Sequence, residues 1–114
     1  MNSLPLEITP EKEATFAIIY SMLCSINDTI NNTSYANECI ASAREQFNED
    51  IIHDALKHLH YIWCVNANKV AEFNGNRDSD EYQHIYNISL IAFRKYFEQV
   101  KNARKLYPNL YFEA

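Results

Sequence analysis

With 114 residues, 47% of them hydrophobic and 13% aromatic, the chain carries enough apolar mass for one domain with a core and too little polar bias for disorder. One glycine, Gly75, and three prolines exclude turn-rich all-β folds and glycine-built phosphate loops. The net charge of −5 is uneven: residues 1–81 hold five Lys/Arg against thirteen Asp/Glu, and residues 82–114 hold five against two, a balance that argues against non-specific nucleic-acid binding.

The first periodic segment opens at Thr9-Pro10, an N-cap hydroxyl followed by proline at the first helical position. Phe16, Ile19, Leu23, Ile26 and Ile30 then recur at spacings of 3 and 4, which predicts a helix over 10–31, ended by the polar run NNTS. Ser34 is placed to cap a second helix over 34–47, with Ala36, Ile40, Ala43 and Phe47 as its stripe. Continuing that register would bury Asp50, Asp54 and Lys57, so Asn48 is read as the cap of a new helix; a bent continuous helix is the alternative.

The third helix is predicted over 49–74. Ile52, Leu56, Leu59, Trp63, Asn66, Val70 and Phe73 form its stripe, and Gly75 is its C′ residue. Asp78 and Glu81 have capping-box spacing before a fourth helix over 79–107. Its stripe reads Tyr82, Tyr86, Ser89, Phe93, Tyr96, Val100, Ala103 and Tyr107, and Pro108 marks its end. Lys101, Arg104 and Lys105 complement the dipole of its last turns. Four amphipathic helices with short links predict an all-α fold, an antiparallel up-down four-helix bundle, as one domain over 1–114. Its two apolar tails, LPLEI and NLYFEA, are expected to pack back on the bundle or dock on a partner.

Three cysteines without a CxxC pair, and no cationic run before an apolar one, lead us to expect reduced thiols and a cytoplasmic location. No apolar run is long enough to span a bilayer.

The segment DIIHDALKHLHYIWC, residues 50–64, concentrates the histidines. On a helical wheel His53, His60 and Cys64 flank the core stripe on one side and His58 flanks it on the other. His53 and His60 stand about 10 Å apart along the axis, too far to share an ion. His60 and Cys64, at i and i+4, form the one ligand pair worth testing. In a hairpin turning near residue 76 they face roughly Phe93, which offers no further ligand. Asp50-x-x-His53 and Glu81-x-x-His84 have the spacing of paired di-iron motifs, but each opens its helix, and two antiparallel helices start at opposite ends. We therefore expect no metal and no cofactor.

Arg77, followed after six residues by His84-Ile85-Tyr86, resembles the Arg-x4–6-His motif of HEPN ribonucleases, which are themselves helical bundles. The resemblance covers ten residues and implies that Arg77 and His84 polarise a phosphodiester with Tyr86 nearby. No glycine elbow or oxyanion loop flanks any serine or cysteine.

Binding is the first reading, ahead of enzymatic activity. The outer face of the third helix presents Glu49, Asp50, Asp54, His58, Tyr61 and Val65, two apolar anchors on an acidic surface. These residues are the candidate partner-binding site, and Glu45 extends the acidic cluster. A small acidic helical protein of this kind is expected to be an inhibitor, immunity protein or antitoxin that covers a basic toxin or nuclease. Bacteriocin immunity proteins are similar in size and helical make-up, an analogy without a shared motif. HEPN-like ribonuclease activity is one alternative; a structural or adaptor bundle that forms a homodimer is the other.

Overall fold

Thr9 and Pro10 start the first helix as their residue types dictate. In the computed structural model, which describes residues 9–28 and 33–110, Thr9 Oγ1 accepts the N–H of Lys12 (3.1 Å) and Pro10 opens α1 (Pro10–Asp28). Three further helices follow, α2 (Thr33–Gln46), α3 (Glu49–Ala71) and α4 (Asp80–Leu106), so the described residues are helical with short connections. Residues 29–32, which hold Ile30 and the predicted end of the first helix at 31, and the segments 1–8 and 111–114 lie outside the described residues.

Local chemistry sets most of the boundaries. Asn48 separates α2 from α3, its Oδ1 accepting from Ile51 N at 3.0 Å, which decides for two helices over one bent helix. Ser34 is not a cap; α2 already begins at Thr33. The cap of α4 is Ser79 rather than Asp78: its Oγ accepts from Tyr82 N at 3.2 Å, while Asp78 N donates to Asn76 Oδ1 in the preceding turn (2.9 Å).

Gly75 is not the C′ residue of α3, which ends at Ala71 with Glu72 as C-cap, and its φ is not positive. Its role is steric. Phe73 turns onto Tyr82 with ring centroids 5.2 Å apart, and a Cβ on residue 75 would meet the Phe73 ring at 3.1 Å.

The stripes become the core. Phe16, Ile19, Leu23 and Ile26 of α1, Ala43 of α2, Ile52, Leu56 and Leu59 of α3, and Tyr96, Val100, Ala103 and Leu106 of α4 are buried, as is Leu110 beyond α4. Each leucine, isoleucine, valine and phenylalanine of this set contributes about 1.5–3 kcal/mol by leaving water.

Side-chain contacts fix the helix directions. His60 packs on Tyr96, Trp63 on Phe93 and Phe73 on Tyr82, so α3 and α4 are antiparallel and form the most extensive packing in the chain. This register places His60 against Tyr96, one turn from the expected Phe93, because the connection turns nearer residue 78. Phe16 meets His58 (5.8 Å) and the Tyr20 hydroxyl donates to Ala55 O (2.7 Å), so α1 is antiparallel to α3. The Lys95 ammonium lies over the Tyr20 ring, and Gln99 reaches Tyr20 O and Cys24, so α1 runs alongside α4 in the same direction.

This differs from the expected up-down order, in which α1 and α3 would be parallel. The reason is the length of α2. Fourteen residues span about 21 Å, too short to return along α3 and α4. Instead α2 leaves the C-terminal end of α1 and rejoins the N-terminal end of α3, and these lie at one end of the molecule. It lies across that base and seals it. Arg44 Nε donates to Leu106 O at 2.6 Å, and Tyr107 Oη donates to Phe47 O at 2.8 Å.

Above the base, α3 and α4 continue as an arm. The last fully buried residue of α3 is Leu59 and the first of α4 is Tyr96; beyond them Trp63, Ala67, Val70, Tyr82, Ile85 and Ser89 are half-buried. Two helices alone cannot enclose their seam, and the principal extents of 52 × 31 × 25 Å record that elongation.

Candidate interaction surface

Glu49, Asp50 and the adjoining Glu45 are exposed at the start of α3 and end of α2, and Asp54, Tyr61 and Val65 are half-buried on the outer side of α3. These form one continuous surface, since positions 50, 54, 61 and 65 fall within about 60° of each other around the helix. His58 departs from the expectation. It points toward α1 and packs on Phe16, and its Nδ1 is buried without a hydrogen-bond partner. Burial lowers its pKa below the ordinary 6.5, with Glu13 opposing in the other direction. The sequence wheel placed His58 on a solvent face because it assigned no neighbour to that flank; α1 occupies it.

The structure adds three exposed rings of α4, two of which, Tyr86 and Phe93, its stripe had assigned to the interior. Tyr86, Phe93 and Phe97 are 45%, 39% and 37% exposed. They lie along one edge of the α3–α4 seam, where Trp63 packs edge-on against Phe93 (5.1 Å) and Phe97 (5.6 Å) and stacks on Tyr96 (5.9 Å). Around α3, His60 and Cys64 lie between this edge and the outer face that carries Tyr61 and Asp54. The side of the seam opposite α1 is thus an exposed aromatic edge. A signal for it existed in the sequence: α4 carries more aromatic bulk than a two-helix seam can cover.

The other candidates separate. The Arg77 guanidinium sits over the Tyr82 ring, 5.8 Å from its centroid, and Tyr86 stacks on Tyr82 (6.2 Å, 20°). His84 is two residues from each tyrosine, which carries it about 160–200° around α4. Arg77 and Tyr86 share one side of the helix and His84 takes the other, so the three do not converge on a phosphodiester.

His60 and Cys64 do meet, with Cys64 Sγ 3.7 Å from His60 Nδ1. The remaining side of His60 is filled by the edges of Trp63 (5.6 Å) and Tyr96 (5.1 Å). Among the described residues no group of three or more His, Cys, Asp or Glu side chains gathers into a metal-binding cluster. The pair is aromatic packing with a thiol contact.

A buried polar knot joins α1 to α4, and the sequence reading missed it. Gln99 and Asn102 are each only 4% exposed. Gln99 Nε2 donates to Tyr20 O (3.3 Å) and Cys24 Sγ (3.4 Å), and Asn102 Nδ2 donates to Gln99 Oε1 (3.3 Å). Their positions flank the heptad stripe on the side where α1 packs, which no single-helix pattern reveals.

No helix among the described residues is long and apolar enough to cross a membrane. No protein-family model matches the chain, and comparison with curated proteins and with solved structures finds no match.

Proposed function

We propose that this chain acts by binding another protein, as an inhibitor- or immunity-type module that covers a basic surface on a toxin, nuclease or other enzyme. One observation carries the reading: Glu49 and Asp50 are exposed and Asp54, Tyr61 and Val65 partly exposed on the outer face of α3, while Tyr86, Phe93 and Phe97 expose apolar rings along α4. Aromatic anchors with a charged margin are the make-up of a protein interface. The carboxylates would speed capture of a positively charged partner and select against acidic ones.

The test is affinity capture from the source cell, with Tyr61→Ala and Asp54→Lys as matched variants and mass spectrometry as readout. The expected result is one stoichiometric basic protein, retained by the wild type at low salt and lost in both variants while their helicity and melting stay near wild type. Partner affinity unchanged in both variants removes this face from the proposal.

A further inference from the structure

Around α4, about 160° from Phe93, runs a second stripe. Glu81, His84, Ile88, Ile91 and Lys95 recur at spacings of 3, 4, 3 and 4, and all five are exposed. Ile91 is 63% exposed, the highest figure for a large apolar side chain among the described residues, and Ile88 is 40% exposed. A heptad stripe with isoleucines at its centre is how a helix presents itself to another helix. Within this chain α1 packs further along α4, at Gln99, and leaves these two isoleucines outside.

The charges along the stripe say what the other helix is. Glu81 and Lys95 lie seven residues to either side of Ile88, each about 10 Å from it along the axis. Reversing the stripe about Ile88 puts glutamate where lysine was and lysine where glutamate was. The pattern is therefore its own complement under a two-fold axis, the condition for an isologous contact.

A second feature agrees. Beside Ile91, a depression of about 550 Å³ is lined by Arg94, Lys95, Glu98, Gln99, Asn102 and Cys24. With two copies crossed antiparallel at Ile88, the Glu81 carboxylate of one arrives at the Arg94–Lys95 rim of this depression in the other.

We infer that the partner of this face is a second copy of the chain, the two α4 helices packing antiparallel about Ile88 with Glu81 of each paired to Lys95 of the other. The Lys95 ammonium rests 5.7 Å over the Tyr20 ring, so it is held at the surface near the position the contact requires. The exposed aromatic edge of the proposed partner surface lies on the far side of α4 and stays open in the pair.

Sedimentation equilibrium tests this, on the purified chain at concentrations up to about 100 µM, above the micromolar range expected of a small interface. The wild type is expected to be a dimer at the upper end. Ile91→Asp, Glu81→Lys and Lys95→Glu should each weaken the dimer about tenfold or more, with helicity by circular dichroism unchanged. Glu81→Lys combined with Lys95→Glu should restore it, because each reversed charge again faces its opposite. Added salt should weaken the wild-type dimer. A wild type that stays monomeric throughout overturns the inference. So does a dimer indifferent to Ile91→Asp, or a double reversal that fails to restore association.

Discussion

Replacing Gln99 with leucine tests whether the polar knot between α1 and α4 acts as a unit. Leucine is close to glutamine in volume and removes two donated bonds and one accepted bond, all of 3.3–3.4 Å and so of modest strength. Tyr20 O keeps its helical partner, so little is lost there. The cost falls on Asn102, whose Nδ2 loses its acceptor at a site only 4% exposed. Leaving such an amide unmatched costs about 1–3 kcal/mol. Leucine's extra apolar burial offsets part of this, so the net loss is about 1–2 kcal/mol.

In urea, with an m-value near 1.5 kcal/mol/M, that loss lowers the midpoint by about 1 M. Adding Asn102→Leu removes the orphaned amide. The double variant should return to within about 0.5 kcal/mol of wild type, because replacing both partners with apolar groups is nearly neutral. The cycle is then strongly non-additive. A neutral Gln99→Leu, or a double variant that loses the sum of the two singles at unchanged m, refutes the account.

Tyr20→Phe removes the hydroxyl bonded to Ala55 O and should cost about 1 kcal/mol in the same urea titration; burial raises the pKa of that phenol, so at neutral pH it remains the donor. Leu59→Ala, in the base core, should cost about 2–4 kcal/mol. Phe97→Ala, at an exposed edge of the α3–α4 seam, should cost only about 1 kcal/mol, while shifting the fluorescence of Trp63, the only tryptophan. Because the folded pKa of His58 lies below 6.5, the unfolded chain takes up a proton that the folded chain refuses, so stability falls as pH drops from about 6.5 through the folded value. His58→Leu should flatten that part of the stability–pH curve, and an unchanged slope would show that the ring is not desolvated.

Helix content and core faces were legible because they depend on local information. Phe16, Ile19, Leu23 and Ile26 share one face whatever they pack against, and Thr9 and Asn48 cap through hydrogen bonds within three residues. Partner choice was not legible. A stripe records that a face is covered but not by which helix or in which direction, so α1 was set parallel to α3 and is found antiparallel to it. The same gap misplaced His58. It also hid Gln99 and Asn102, which look like surface residues until α1 lies against them.

Of the candidate site, the acidic margin, Tyr61 and Val65 were visible as wheel positions. The exposure of Tyr86 and Phe93 was not, because a seam covered by two helices has the same pattern as one covered by three. The Arg77–His84 spacing was visible too, but spacing alone carries no direction, and Tyr82 draws the guanidinium away from His84.

The parallel run of α1 along α4 sets an order of assembly. The α3–α4 hairpin closes over a turn of a few residues, so its contacts form at small entropic cost. Tyr20 and Gln99 are separated by 79 positions, and their contact requires closing a loop that long. We expect the hairpin to be the nucleus and α1, with α2 across the base, to dock last. Substitutions at Trp63 or Tyr96 should slow folding, and those at Ile19 or Leu23 should chiefly speed unfolding. During synthesis α1 therefore emerges before the other three helices and waits longest of the four for its place.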